Sequence, residues 1–305
     1  MALEFNKKTV TQFKNGVFPV DYLVLIFCIL ISVVSLVFYN TLNQPFLFMI
    51  ADVTIFSILF CLIVHEKRLA DTAGYWLHSW LPVISVAVFY TQVTAYDHLV
   101  FKETFDSLLL QWESNLFGDL GQLANFPGNH LLVDELMHFF YFSYYLILFI
   151  PGMILLSRRS PIAHEMIFSL TLMMIVHYIF FILFPGDGPV ESHPVIFTRG
   201  IVFIPLMNFI YKVGGEQGGG AFPSTHVAVA TLILLYSFSE FKKYRPLMLF
   251  IATGIVTATV YCRYHYIIDT LAGLFTGTMF YFIGKGLYLN WDHPAELPVE
   301  SLSHQ

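Results

Sequence analysis

Charge is scarce in this chain: charged residues make up 12% of its 305 residues, about half the share of an ordinary soluble domain. Fifteen Lys+Arg and 21 Asp+Glu cannot clothe a fold of this length in a polar skin, which excludes a water-soluble enzyme. The net charge of −6 excludes a basic nucleic-acid-binding face. No block of like charges forms an acidic or basic tail. Cysteine is nearly missing too. Cys28, Cys61 and Cys262 share no metal-type spacing, and the first two sit inside apolar runs, so they read as small membrane-buried thiols rather than a disulfide framework. There are no internal repeats, low-complexity segments or linkers. What abounds is apolar: 57% hydrophobic residues and 17% aromatics, with 32 Phe. That composition belongs to an integral membrane protein.

A bilayer-crossing helix needs about 20 apolar residues. Eight runs qualify, at 20–39, 45–64, 76–95, 136–156, 163–184, 223–239, 247–261 and 265–288. The predicted fold class is therefore all-α, a polytopic helical membrane protein with about eight spans. The first run is too long for a signal-peptide core and has no small-residue cleavage site, so it is expected to be retained. The sixth and seventh runs are short, about 16 residues each, and would reach only about 25 Å against a hydrocarbon core of about 30 Å. Polar residues at their outer ends should then lie a few Å below the membrane surface.

Positive charge orients the spans. Alternate loops hold Lys7, Lys8, Lys14, Lys67, Arg68, Arg158, Arg159, Lys242, Lys243, Arg245 and Lys285, which is 11 of the 15 basic residues. The other set holds Lys102, Arg199, Lys212 and Arg263. Both termini are expected in the cytoplasm, and the long loops 96–135 and 185–222 outside. The chain divides into N-terminal membrane helices (1–95), a catalytic membrane domain (96–290) and a cytoplasmic tail (291–305), all in one membrane unit. Within the first long loop, Phe101, Phe105, Leu108, Leu109, Trp112 and Leu116 share one helical face, with Glu103, Asp106 and Glu113 opposite. This helix either lies flat on the outer membrane surface or packs on its own protein.

Single polar residues within the spans say little. Asp52 is either a helix–helix hydrogen bonder or part of a site. His138 and His177 read as satisfied core histidines. Two segments stand out. Gly218-Gly219-Gly220-Ala221-Phe222-Pro223-Ser224-Thr225-His226 puts glycines, a first-turn Pro, two capping hydroxyls and an imidazole at one helix N-terminus, a natural phosphate-binding point. Read alone, it is also an ordinary capped helix after a loop. Tyr261-Cys262-Arg263-Tyr264-His265-Tyr266-Ile267-Ile268-Asp269 places His265 and Asp269 at i, i+4, one turn apart on one face. A carboxylate there can orient and support the imidazole, and Arg263 precedes it with a fork of donors suited to phosphate. Read alone, the pair is also an interfacial His–Asp cap. Both segments, and the stretch Phe184-Pro185-Gly186-Asp187-Gly188-Pro189, fall on the expected outer side.

With these motifs in place, the chain resembles the type 2 phosphatidic acid phosphatase superfamily, most closely its branch of aureobasidin-sensitive inositol phosphorylceramide synthases and bacterial relatives. The resemblance rests on Pro223-Ser224-x-His226, on His265-x-x-x-Asp269 with its Tyr261–Tyr266 lead-in, on the 184–189 stretch and, more weakly, on the Asp106…Glu113…Leu116-Phe117-Gly118 pattern. It covers roughly residues 100–290. Three family features differ. The Lys-x6-Arg-Pro motif of classical lipid phosphatases has no counterpart on the outer side. Val190 follows Gly188-Pro189 where a basic residue is usual, and Thr259 stands where the family has an Arg six residues before the histidine.

The resemblance implies a double displacement at phosphorus. His265 is the nucleophile, Asp269 its orienter and His226 the acid and base. Arg263, Ser224, Thr225, Gly220 and Gly188 are the expected phosphate-binding set, with Arg199 or Lys212 in support. No cofactor or metal is required. The expected partners are a lipid phosphate substrate and the surrounding membrane lipids; the oligomeric state is not set by the sequence. With water as acceptor the enzyme is a lipid-phosphate phosphatase, and with a lipid or polyol alcohol it is a head-group phosphotransferase. Two other classes compete: a zinc hydrolase built on His226, His265 and Asp269, and a non-catalytic transporter using Asp52 and Asp269.

Overall fold

A computed structural model describes residues 17–65, 73–118, 128, 130–214 and 220–292. Gly218, Gly219, the tail beyond residue 292, and Lys7, Lys8, Lys14, Lys67 and Arg68 lie outside the described residues. Among those described, the chain runs α1 (Pro19–Val37), α2 (Pro45–Val64), α3 (Ala73–Val93), α4 (Asp106–Phe117), α5 (Leu131–Ser157), α6 (Pro161–Leu183), α7 (His193–Ile196), α8 (Phe203–Gly214), α9 (Thr225–Glu240), α10 (Arg245–Tyr261) and α11 (Ile267–Asp292). Helices α1, α2, α6 and α10 carry Pro in the first turn, where its missing N–H costs nothing.

This is a helical membrane protein. Among the described residues, six segments are long and apolar enough to cross a bilayer: α1, α2, α5, α6, α11, and 242–261, which joins α10 to the turn before it. That last segment has 20 residues, so the seventh run is longer than expected. Each of the eight runs forms a helix, but α3 and α9 fall outside these six. Helix α9 has 16 residues. Helix α3 carries His78, Ser79, Ser85 and Gln92, all buried. It packs against α6, α2 and α1, where neighbouring helices shelter those groups.

The bundle centres on α9, which packs against α11, α10, α5 and α6. It is accordingly apolar around most of its circumference, burying Val227, Ala228, Val229, Ala230, Leu232 and Ile233. Gly273 and Gly277 of α11, spaced G-x-x-x-G, make its tightest crossing. A Cβ on Gly273 would lie 2.6 Å from the Ser224 carbonyl oxygen, and one on Gly277 would strike the Ala228 carbonyl. Small residues at this spacing let two membrane helices meet backbone to backbone.

Two buried carboxylates inside the N-terminal bundle find partners on neighbouring helices. Asp52 accepts from Ser32 Oγ at 2.8 Å and from Gln92 Nε2 at 2.9 Å. It joins α1, α2 and α3, which is the structural one of its two expected readings. His78 and Asp21, both buried, pair at 3.0 Å. Cys28, Cys61 and Cys262 are free thiols; Cys28 and Cys262 are buried in the protein, and Cys61 is exposed on the surface of the span α2.

Candidate active site

Ser224 stands ahead of α9 in extended conformation, and its Oγ accepts the Val227 N–H at 3.4 Å. A hydroxyl in this position satisfies one of the N–H groups a helix start leaves open. Thr225 begins the helix and is buried, and half-buried His226 follows in the first turn. The approach to α9 is tied to the 184–189 stretch: Gly220 forms a parallel bridge with Gly186, and the Ala221 N–H donates to the Gly186 carbonyl at 2.9 Å.

The second segment is a tight turn between α10 and α11. Arg263 adopts φ of 60°, the left-handed conformation that usually takes glycine at a helix end. For an arginine it costs on the order of 1–3 kcal/mol. The turn closes because the N–H groups of Tyr264 and His265 both donate to the Thr259 carbonyl, each at 3.1 Å. Holding Arg263 there aims the next residues at α9.

The two segments meet. His265 Nδ1 faces Asp269 Oδ2 at 3.5 Å, with both side chains buried. Asp269 Oδ2 also accepts the Tyr266 N–H at 2.8 Å, which fixes the carboxylate. The Ser224 N–H donates to the Asp269 carbonyl at 3.1 Å, locking one motif onto the other. The rings of His226 and His265 are 5.8 Å apart between centroids. With Nδ1 of His265 turned to the carboxylate, its Nε2 is the nitrogen left for chemistry.

His226 is held by aromatic rings rather than by a carboxylate. Tyr141 stacks on it at 4.6 Å, with the Tyr141 hydroxyl 3.4 Å from His226 Nδ1, and Tyr144 packs at 4.3 Å. The Tyr141 hydroxyl also bonds Tyr211 at 2.9 Å, and Tyr264 stacks on both rings.

Helix α4 begins at Asp106, so Phe101 and Phe105 precede it. It packs on its own protein, but through the side expected to be the outward acidic one. Both Asp106 oxygens accept, from the Asp187 N–H at 2.9 Å and the Gly188 N–H at 2.8 Å. Buried Glu113 accepts the Ile268 N–H at the start of α11, at 3.1 Å. Trp112 and Leu116 of the apolar stripe are exposed on the protein surface, while Leu109 is buried. A carboxylate is worth more at unsatisfied N–H groups than in water, and that decides which side of this helix turns inward.

Of the expected phosphate-binding set, Ser224, Thr225 and Gly220 sit at the α9 entrance. Gly188 has φ of 69°, and a Cβ there would lie 3.0 Å from the Tyr264 carbonyl. The Gly188 N–H already serves Asp106, so this residue shapes the turn against the His265 loop. Burial presses the pKa of Arg263 down, and the Glu113 carboxylate opposes that shift. Arg199 and Lys212 are exposed. Among the described residues, no three His, Cys, Asp or Glu side chains are grouped to hold a metal ion.

Outside this centre, His177 is buried with neither ring nitrogen hydrogen-bonded. His138 bonds the Asp134 carbonyl through Nδ1 at 2.6 Å and His193 at 3.0 Å. His193 also meets the Tyr264 hydroxyl at 3.0 Å. Burial and neighbouring His138 push the pKa of His193 down to about 3, so it packs as a neutral ring. Tyr141, Tyr211, Asp106, Glu113, Gly273 and Gly277 did not figure among the expected site residues. The Gly273/Gly277 spacing announces itself in the sequence, and Asp106 and Glu113 carry a weaker signal as part of the family resemblance.

The sequence profile of the PAP2 superfamily matches residues 107–283. No curated protein and no solved structure matches the chain.

Proposed function

The chain belongs to the PAP2 superfamily, and from that membership and the geometry around His265 we propose that it cleaves the phosphoester of a lipid phosphate through a phosphohistidine. The observation that carries the reading is the convergence of His265, its carboxylate Asp269 and a second imidazole, His226, at the junction of α9 and α11.

In the first step His265 Nε2 attacks phosphorus, and the bond from phosphorus to the lipid alkoxide breaks. His226 gives its proton to that leaving oxygen. Asp269 accepts the Nδ1–H of the imidazole and offsets the positive charge that develops on it. In the second step His226, now neutral, takes a proton from water; the oxygen attacks phosphorus and the N–P bond breaks, returning His265. Arg263 and the open N–H groups at the start of α9 supply positive potential for the phosphoryl oxygens. An alcohol in place of water would make the same chemistry a transfer of the inositol phosphorylceramide synthase kind.

The test is the purified protein offered a panel of lipid phosphates, with and without alcohol acceptors, reading free phosphate against new lipid. Free phosphate without acceptor supports hydrolysis, new lipid with little free phosphate supports transfer, and neither product from any lipid sinks the reading.

The site is proposed to face the extracytoplasmic side of an eight-span chain, a reading supported by the distribution of basic residues. Val195 lies on α7 in the same outer loop and is 76% exposed. Val195→Cys should react with a membrane-impermeant maleimide in intact cells. Labelling only after permeabilisation would invert the topology.

The Tyr141 hydroxyl is the natural positioner of His226. When His226 is neutral, the hydroxyl can donate to Nδ1; when it is protonated, the hydroxyl can accept. Tyr141→Phe removes this neutral hydrogen bond, worth about 0.5–1.5 kcal/mol, so kcat should fall about 2- to 10-fold. The limb of the pH–rate profile set by His226 should move with it. An unchanged profile would make Tyr141 a packing residue.

A further inference from the structure

Away from the histidines, the chain holds a cavity of about 640 Å³ between the α1–α2 turn, α2 and the end of α3. It falls outside the span that the superfamily profile matches. Its rim is polar and exposed, formed by Thr41, Asn43 and Gln44. Buried Gln92, Thr94 and Asp97 line it more deeply. One side is apolar, with Leu47 and Phe48 from α2 facing Val88 of α3.

The hydrogen-bonding character of this lining is one-sided. Thr91 and Thr94 have their hydroxyl protons committed, to the carbonyls of Val88 at 2.7 Å and Thr91 at 3.1 Å, leaving oxygens that can only accept. Gln92 spends its amide N–H groups on Asp52 at 2.9 Å and the Phe48 carbonyl at 3.4 Å. Its Oε1 is left buried without a partner, although the residue is only 1% exposed. With no surface open to the cavity, that oxygen takes no part in binding a ligand, and the acceptors within reach are the two threonines. Asp97 adds a carboxylate. No Lys or Arg lines the cavity, so a phosphate, which brings only acceptors and negative charge, is the wrong ligand. An ammonium would find Asp97 as its sole carboxylate, and His98 already stands 3.7 Å from it.

We propose that this cavity binds the neutral, polyhydroxylated head group of a membrane lipid, whose hydroxyls donate to Thr91, Thr94 and Asp97 while its chains lie along Leu47 and Phe48. The position of the cavity gives the binding a consequence. Burial and repulsion from Asp187 raise the pKa of the Asp97 carboxyl, against the pull of His98. Asp187 belongs to the turn that Asp106 clamps beside Tyr264 and His265. A head group on Asp97 therefore sits next to the loop that shapes the phosphate site. Binding itself does not rest on the phosphoester reading.

The test uses the full chain in phosphatidylcholine nanodiscs and a glucosyl diacylglycerol carrying a photoreactive group and an alkyne. Crosslinks mapped by mass spectrometry should fall on peptides from the α1–α2 turn and the end of α3, equally in wild type and in His265→Ala. Because His265→Ala reports on turnover separately, failure of the phosphatase reading leaves this result intact. Thr91→Trp, at an exposed position on the rim, should cut labelling at least tenfold; Asn43→Trp blocks from the opposite side should the first variant fold poorly. Thr94→Val, which keeps the shape and removes an acceptor, should cut labelling at least threefold. Unchanged labelling in both Trp variants would overturn the proposal. So would equal competition by dioctanoyl phosphatidate or dioctanoyl phosphatidylethanolamine.

Discussion

His265→Ala should abolish turnover and covalent phosphate labelling together, while the purified protein keeps its thermal unfolding midpoint. The loss is total because a proposed nucleophile has no substitute: the remaining imidazole, His226, is placed against Tyr141 and Tyr144 and has no carboxylate in its own motif. Asp269→Asn should come close to the same rate. Asp269 Oδ2 serves the Tyr266 N–H and faces His265 Nδ1 at once. An amide oxygen in that place can still meet both partners, but it carries no charge, so the imidazole loses the counter-charge that supports its cationic, phosphorylated form. His226→Ala should be milder, slowing turnover by about 10²–10⁴, the usual contribution of a proton donor. A nitrophenyl ester, whose leaving group needs little protonation, should recover much of that loss. These three variants discriminate sharply: if the nitrophenyl ester rescued His265→Ala but not His226→Ala, the two histidines would exchange roles.

The second large effect is expected away from the two histidines. Gly277→Leu should remove activity and lower the unfolding midpoint, although residue 277 lies two turns below Asp269. A side chain there meets the Ala228 carbonyl and Thr231 of α9. The backbone of a packed helix cannot yield as a flexible side chain can. Overpacking of this kind costs typically 1–3 kcal/mol, occasionally more, and α9 can relieve it only by moving away from α11. That movement breaks the Ser224 N–H bond to Asp269 and separates the two imidazoles. Gly286, on the same helix with open space around its would-be Cβ, is the control: Gly286→Ala should leave both measurements near wild type. If Gly277→Leu retained half of wild-type activity, the tight crossing would not be what assembles the site.

These expectations show how far a single sequence reaches. The helices were readable because each buries or exposes a long apolar surface, and that property lies within one segment. The ends of the two motifs were readable for the same reason: Ser224 caps its own helix, and His265 and Asp269 are one turn apart. Contacts between segments were not. Tyr141 precedes His226 by 85 residues, and in the sequence it is one more aromatic in a helix full of them. Asp106 and Glu113 looked like a solvated face because charge usually seeks water; here unsatisfied N–H groups at 187–188 and 268 outbid the solvent. Helix α5 starts at Leu131 rather than near 136, since Asp134 is welcome in a first turn. The Gly273/Gly277 pair was the one long-range feature with a local signature.

Helix α8 is fastened unequally at its two ends. Glu135 grips the first, accepting N–H groups of Ile201, Val202 and Phe203 at 2.5–3.2 Å. The other end rests on Tyr211, through ring stacking with Tyr264 at 4.6 Å and one neutral hydrogen bond to Tyr141. Charge-assisted bonds are about twice as strong as neutral ones, so thermal or chemical stress should free the Tyr211 end first, with Glu135 as the pivot. The first residue to feel that swing is Tyr141, and through it the proposed proton donor. Helix α8 is in this sense a lever whose short throw ends at His226.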